Sequence, residues 1–392
     1  MKILKILILC ACIFALPLTA MAEPGKQSAR GLNPDAMEEL VASGIDKYLG
    51  MYSPVVSEDV GDGWTKHTFD PDGGNGPICI AGTPFSAFSK QGNPSKLLIM
   101  LQGGGACWQD FYFCNILAEA QEPPPEFPAG IWTDEFDTGS EVVSNPIGDW
   151  SVLYMPYCDG SVFTGDNDVV DPNFPFGPVR FHRGMRNVSA GIDLANTLFP
   201  NAGRIMLAGS SAGGVGAASL APFITRFAYG NTTKLMVFND AGPIAVNLFD
   251  VGGIAARAAD WQFGQFYPAS CTECSDTGQG TAIVDWRLEN DSTIREAFYS
   301  TDGDATNRFF LQVPTQEMYR NLIVTEHGKL HDAYPDRYKR FIRSGDDSHT
   351  ALQTPLFYLG TANGVPLDVW TADFLVPRPF WMDIVEDFVP LP

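Results

Sequence analysis

The chain has 392 residues, of which 45% are hydrophobic, so it is long enough to bury a large core. Its 25 basic and 46 acidic side chains give a formal net charge of −21. Because such an acidic surface repels nucleic acid and anionic membrane at long range, we expect neither as a partner.

The first residues are typical of an export signal. Lys2 and Lys5 precede the apolar stretch 6–18, and Ala20-Met21-Ala22 forms a small-residue cleavage site. The stretch is shorter than the roughly 20 apolar residues that span a bilayer. We therefore predict that 1–22 is a signal peptide cleaved after Ala22. The mature protein, 23–392, is expected to be secreted or periplasmic, monomeric and a single domain.

Short apolar runs alternate with stretches of helical character along the chain. Buried strands of a sheet covered on both faces are typically continuous apolar runs, and alternating strands and helices predict a parallel doubly wound sheet. Residues 62–95 favour short antiparallel strands and turns. Helices are predicted near 37–45 and 187–198, and strands at 96–101, 150–155, 205–208, 234–239, 294–300 and 338–342.

Two long loops interrupt this pattern, at 118–149 and 165–179. The first is acidic and proline-rich, with Pro123-Pro124-Pro125 and several aromatic residues. Long ordered loops are often functional. Loop 118–149 is either an insertion near the mouth of a site or a surface excursion.

The sequence Gly209-Ser210-Ser211-Ala212-Gly213 lies between a predicted strand and a small-residue helix. In such a G-x-S-x-G turn, small neighbours permit a strained backbone that exposes the serine hydroxyl above the sheet. Ser211 is therefore the candidate nucleophile. The alternative is a glycine-rich turn that has no chemistry or merely holds an anion.

Three consecutive glycines, Gly103-Gly104-Gly105, follow the strand 96–101. Glycines after a central strand let backbone N–H groups turn towards a ligand, as an oxyanion hole requires. We predict Gly104 and Gly105 as oxyanion donors, together with the amide of Ala212, the residue after the nucleophile.

In enzymes whose nucleophilic serine lies in a G-x-S-x-G turn, the general base comes later in the chain than the serine. Of five histidines, His327 and His331 lie in a charged helical stretch and look solvated, whereas His349 follows the last predicted strand. We predict His349 as the base. Asp302 and Asp304 both leave the strand 294–300 and either could orient it, although they could instead form a capped turn. Asp240 is a poorer candidate for this acid, because it follows the strand next to the G-x-S-x-G turn, or elbow.

Six cysteines remain after signal cleavage, and an even number in an exported chain favours three disulfides over metal or redox chemistry. Six cysteines allow fifteen pairings, so the pattern alone does not choose among them. The cysteines concerned are Cys79, Cys107, Cys114, Cys158, Cys271 and Cys274.

Taken together, these motifs resemble those of the pectin acetylesterase family, which includes plant and Notum-like carboxylesterases. The resemblance spans roughly 79–360, and the chain resembles a secreted, bacterial-type member. The segments that carry it are Cys79-Ile-Ala-Gly-Thr-Pro84, Gly103-Gly104-Gly105-Ala106-Cys107-Trp108, Tyr157-Cys158-Asp159-Gly160-Ser161, Phe163-Thr164-Gly165-Asp166, Gly209 to Gly214, and Phe341-Ile342 leading to His349.

The resemblance implies an α/β-hydrolase-like fold with a doubly wound, mostly parallel sheet and long loop insertions. It also implies a serine esterase that needs neither metal nor cofactor, with Ser211, His349 and Asp304 as its triad. The family usually has a glutamine where Asn307 stands. It also usually has a tryptophan near Gly105, and because Gly105-Ala106 is smaller here, a wider pocket is expected. It further suggests the pairs Cys79–Cys158 and Cys107–Cys114.

The implied substrate is an acetylated polysaccharide or a small ester. A polyanion such as pectin fits poorly with the acidic surface unless Arg180, Arg183 and Arg186 form a local basic patch. The alternatives are an esterase for lipids, polyesters or aryl esters, an acyltransferase, or a carbohydrate-binding relative without turnover. The aromatic residues near the C-terminus either belong to the core and a closing helix or form a platform that binds sugars. They are Trp370, Phe374, Phe380 and Trp381.

Overall fold

A computed structural model of the chain describes residues 31–71, 75–116, 129–376 and 380–392. The predicted signal peptide and its cleavage site lie outside these ranges. So does the proline-rich part of the loop 118–149, with Pro123-Pro124-Pro125.

The architecture is a ten-stranded mixed sheet with helices packed against it. The strand order is β1-β2-β3-β9-β4-β12-β13-β14-β15-β18, and the seven strands from β9 to β18 are mutually parallel. The strands are β1 Pro54–Gly61, β2 Trp64–Phe69, β3 Ser86–Lys90, β4 Asn93–Leu101, β5 Gly105–Trp108, β6 Phe111–Cys114, β7 Glu135–Asp137, β8 Val142–Ser144, β9 Trp150–Met155, β10 Asn167–Val170, β11 Val179–His182, β12 Arg204–Ser210, β13 Lys234–Asp240, β14 Arg295–Thr301, β15 Tyr338–Arg343, β16 Thr361–Ala362, β17 Val365–Pro366 and β18 Ile384–Val385.

Most helices lie in the connections between the parallel strands, which need crossovers longer than a hairpin turn. Helix α2 packs against β9, α3 packs against β4, β12 and β13, and α8 packs against β15. The helices are α1 Pro34–Ser43, α2 Gly184–Leu198, α3 Ala212–Ala218, α4 Ala221–Tyr229, α5 Val251–Trp261, α6 Thr281–Asn290, α7 Ala305–Phe310, α8 Gln316–Ala333, α9 Leu356–Leu359 and α10 Leu367–Leu375.

The continuous apolar runs form the centre of this sheet. Every residue of β9 is buried, as are the last five of β4, because both faces of these strands are covered. The α/β-hydrolase-like fold with a mostly parallel sheet is therefore confirmed. The antiparallel strands predicted within 62–95 exist as β2 and β3, and they extend the sheet together with β1.

The three disulfides are present, and two of them join the pairs that the resemblance suggested. Cys79 bonds to Cys158, Cys107 to Cys114, and Cys271 to Cys274. The first pair fixes the segment before β3 to the end of β9, in the middle of the sheet. In the described part of the chain, no helix has both the length and the apolar character needed to cross a bilayer.

Two expectations about exposure were only partly right. His327 does not face solvent: it is fully buried on α8 and stacks on Phe298 with ring centroids 3.6 Å apart. Helical periodicity places that face of α8 against the sheet despite its charged neighbours. At the C-terminal end, Trp370, Phe374 and Trp381 belong to the core, whereas Phe380 is exposed.

Candidate active site

The turn between β12 and α3 has the strained geometry expected of a nucleophile elbow. Ser211 has φ 54° and ψ −119°, a conformation that L-residues rarely adopt. Its neighbours must be glycine: a Cβ atom on Gly209 would lie 2.1 Å from the carbonyl oxygen of Gly213, and one on Gly213 would lie 2.1 Å from that of Leu101. The close crossing of strand and helix thus dictates the small residues of the motif.

The glycine loop after β4 lies directly against this turn. A Cβ atom on Gly103 would be 3.0 Å from the Cβ of Ser211. Gly105 and Ala212 line the same pocket as Ser211. Gly104 is not among the residues that line the pocket; its carbonyl accepts a hydrogen bond of 2.8 Å from the amide of Asn115.

His349 and Asp304 form a hydrogen-bonded pair at the carboxyl end of the sheet. The Nδ1 atom of His349 lies 2.7 Å from Oδ2 of Asp304, which is fully buried. Asp304 also caps α7, since its Oδ1 accepts the amide of Asn307 at 2.8 Å. Both carboxylate oxygens are therefore fixed. The other ring nitrogen of His349, Nε2, is buried and has no hydrogen-bond partner among the described residues.

Asp302 has different partners. Its carboxylate accepts hydrogen bonds from Arg320 at 2.9 Å, from Gln316 at 2.7 Å and from the hydroxyl of Ser344 at 2.5 Å. These bonds hold the turn after β14 to α8 and to the loop after β15. Of the two aspartates that the sequence left open, Asp304 is thus the one hydrogen-bonded to His349.

Sequence reasoning gave Asp240 too little weight. This fully buried residue ends β13, and its carboxylate accepts hydrogen bonds from Ser210, Ala351 and Leu352. Burial raises the pKa of its carboxyl to about 6, although these hydrogen bonds and the charge of His349 act in the opposite direction. The sequence did contain a sign of this role, because Asp240 lies at the carboxyl end of β13, the neighbour of the strand β12 that leads into the elbow.

The pocket beside Ser211 is predominantly apolar and contains about 980 Å³ of space outside protein atoms, open solvent included. Arg257 is the cation among its lining residues, and Asp276 is the anion. The guanidinium of Arg257 lies 5.0 Å above the ring of Trp108 and 3.5 Å from the carboxylate of Asp250. The larger apolar side chains of the wall are Trp108, Leu220, Ile254, Trp261, Phe263, Tyr267 and Phe310.

The basic patch expected from three arginines is not present. Arg180 is fully buried between Asp171 and Asp260, at 2.8 and 2.7 Å. Arg183 and Arg186 are likewise paired with aspartates. Arg180 and Arg183 are buried, where a guanidinium requires a partner, and the partly exposed Arg186 shares Asp166 with Lys47. These arginines therefore offer no free cationic surface to a polyanion.

We found no group of three His, Cys, Asp or Glu side chains placed to hold a metal ion within the described ranges. The candidate site thus consists of Ser211, the glycine loop, the pair of His349 and Asp304, and the carboxylate of Asp240. Because the Asp240 side chain bonds to both Ser210 and Ala351, the histidine-bearing loop lies next to the elbow.

Two comparisons show which known proteins the chain is similar to. The family model described as pectinacetylesterase matches residues 68–251, which include the glycine loop and Ser211 and end before Asp304 and His349. A curated relative, pectin acetylesterase 11 of Arabidopsis thaliana, is 27% identical over 227 residues, covering 50% of this chain and 52% of the relative. The match thus spans about half the length of that relative. On these two matches, about half of the chain is similar to pectin acetylesterases.

Proposed function

We propose that this protein is an exported serine carboxylic-ester hydrolase that removes acetyl groups from a polysaccharide. The observation that carries the proposal is the strained Ser211 beside a glycine loop, with the His349–Asp304 pair on the adjoining loop. Export is supported by the three disulfides and by the signal-like first 22 residues.

The reaction has two acyl-transfer steps. Ser211 Oγ attacks the ester carbonyl carbon while His349 Nε2 takes the hydroxyl proton, and Asp304 stabilises the imidazolium. The N–H groups of Gly104, Gly105 and Ala212 stabilise the oxyanion. Collapse breaks the bond to the alcohol, which leaves with the proton from His349. Water then attacks the acyl-serine by the same route and releases the acid.

The acetylated polysaccharide is supported by the family and by the name of the plant relative. A carboxylate-bearing sugar would meet Arg257 in the pocket, but this guanidinium lies 3.5 Å from the carboxylate of Asp250, and the wall also carries Asp276. Together with the overall charge of −21, this favours an uncharged acetylated sugar over an anionic one.

A second candidate function is hydrolysis of esters with a longer or aromatic acyl group, and the pocket favours it. An acetyl group needs little space, whereas the wall here includes Trp108, Trp261 and Phe310. Ala106, next to the position where the family usually has a tryptophan, also lines the pocket. Binding of an acyl group to such a wall becomes more favourable in proportion to the apolar area of the group that is buried.

Steady-state kinetics of the wild type and of Ser211→Ala test the proposal. We expect the variant to lose at least about 10³-fold in kcat on a soluble aryl acetate while its circular dichroism stays unchanged. Ser189, a buried serine of α2, provides the control, because Ser189→Ala should keep most of the activity. An active Ser211→Ala protein would refute the proposal. A series from acetyl to palmitoyl esters, beside acetylated pectin and xylan, separates the two candidate substrates.

A further inference from the structure

The Asp240 carboxylate bonds to two separate parts of the site. Its Oδ2 accepts hydrogen bonds from the hydroxyl of Ser210 at 2.6 Å and from the amide of Leu352 at 3.0 Å. Its Oδ1 accepts one from the amide of Ala351 at 2.9 Å. Ser210 precedes the nucleophile and Ala351 follows His349 by two residues. One buried side chain therefore determines the distance between the elbow and the histidine loop.

The backbone at the same position adds further links. The carbonyl of Asp240 accepts the amide of Ser211 at 2.8 Å. The next residue, Ala241, has φ 55° and accepts a hydrogen bond of 2.9 Å from the side chain of Asn307. The amide of Asn307 in turn donates a hydrogen bond to the carboxylate of Asp304. The end of β13 is thus the point at which the nucleophile, acid and base segments are joined.

We propose that Asp240 is a positioning residue for ester hydrolysis: its carboxylate holds residues 349–352 against the elbow so that His349 reaches Ser211, and its charge faces the imidazole. Asp304 has a different role, because it bonds directly to Nδ1 of the imidazole. The proposal rests on the proposed function, since it assigns Asp240 a role in that same reaction.

Geometry and charge both contribute to this role. An amide at this position offers one acceptor oxygen in place of two, so it cannot accept from both loop amides and from Ser210. The ionisable groups that face Asp240 are His349 on the loop and Tyr299 on β14. Removing the carboxylate charge therefore makes a protonated imidazole less favourable, both in the free enzyme and in the transition state.

The test compares kcat, KM and the pH–rate profile of the wild type and Asp240→Asn on a soluble aryl ester. We expect kcat to fall about 10- to 100-fold because the base is misplaced, with KM within about twofold. The acid limb of the profile should move to lower pH, because one negative charge facing the imidazole is gone. If Asp240 only maintained the fold, its replacement would lower kcat without moving this limb.

Asp159→Asn is the matched control. Asp159 is another fully buried carboxylate, but its hydrogen bonds go to residues 161 and 163 and not to the histidine loop. The control should leave the acid limb where it is. Wild-type kcat in Asp240→Asn, or a loss of kcat with an unmoved limb, would overturn the proposal.

Ser210→Ala keeps the proposal testable if Asp240→Asn does not fold. This change removes the bond between the carboxylate and the elbow and retains both bonds to the loop. We expect kcat to fall, by less than in Asp240→Asn, with KM within about twofold. Wild-type kcat in this variant would contradict the proposal. If the wild type shows no hydrolysis that depends on Ser211, the proposed function itself fails. If the wild type shows such hydrolysis and Asp240→Asn has the same kcat, only the role of Asp240 fails.

Discussion

His349 and Asp304 stand 45 residues apart in the chain, yet Nδ1 of the histidine lies 2.7 Å from Oδ2 of the aspartate. Two neighbouring parallel strands, β14 and β15, produce this contact, because the loops at their carboxyl ends lie side by side. The pair leaves Nε2 of His349 as the ring nitrogen that can act on Ser211.

The first prediction separates the two aspartates of the loop after β14. Asp304→Asn should lower kcat by about 10³- to 10⁴-fold, because the amide no longer holds the imidazole in the required tautomer. Asp302→Asn is the control: it should weaken the contact with Arg320 and lower the free energy of unfolding by about 3 kcal/mol, with kcat changed far less. Steady-state kinetics and urea unfolding of both variants show which aspartate orients the histidine. Equal losses of kcat would count against Asp304 as the acid.

The second prediction concerns acyl-chain length. Ala106→Trp should fill part of the apolar pocket, where Ala106 is buried and lines the wall. We expect kcat/KM for an octanoyl ester to fall at least about tenfold relative to that for an acetyl ester, since added volume in the wall of the pocket excludes longer groups. Activity on the acetyl ester is the internal control for folding. Parallel losses on both esters would show that acyl groups do not enter this pocket.

The third prediction follows from the burial of His327, which lowers the pKa of its imidazole to about 3. A histidine whose folded-state pKa lies below its unfolded value contributes stability above about pH 6.5 that is lost as the pH falls towards 3. The loss amounts to at most about 1.4 kcal/mol per pH unit.

His327→Phe should remove this dependence while losing the bond to the hydroxyl of Tyr338, which is 2.6 Å long. The variant should therefore be less stable than the wild type at pH 7, and the difference should shrink or reverse at pH 4.5. Urea unfolding at the two pH values measures it. Buried carboxylates titrate in the opposite sense in the same range, but they are common to both proteins. A difference that stays constant with pH would contradict the prediction.

The fourth prediction compares two disulfides. Cys79 and Cys158 are 79 residues apart, whereas Cys271 and Cys274 are 3 apart. Loop entropy predicts that replacing the first pair with alanine costs about 4 kcal/mol, and replacing the second about 2 kcal/mol. Denaturant unfolding of both double variants gives the comparison; a larger loss from the short loop would mean that entropy of the unfolded chain does not dominate.

Much of the site could be predicted because its chemistry lies at the ends of strands. The apolar runs identified β4, β12, β14 and β15, and the residues just beyond them included the glycine loop, Ser211, Asp304 and His349. A parallel sheet brings these ends to one edge whatever the details of packing.

What the sequence could not supply depends on contacts between distant segments. Asp240 bonds to Ser210 and to Ala351, which are 30 and 111 residues away. Arg180 is neutralised by Asp260, 80 residues later, so a cluster of arginines in the sequence became a set of internal ion pairs. His327 was misjudged because the polarity of its neighbours hides the one face of α8 that packs on β14 and β15.

The central claim is that Ser211 carries the acyl group. Mass spectrometry of the protein after reaction with a fluorophosphonate ester tests it most directly, because only a serine activated by a neighbouring base reacts readily. One equivalent of label on the peptide that contains Ser211, absent from Ser211→Ala and strongly reduced in His349→Ala, is the predicted result. Label on another residue, or equal labelling of the Ser211→Ala protein, would contradict the account.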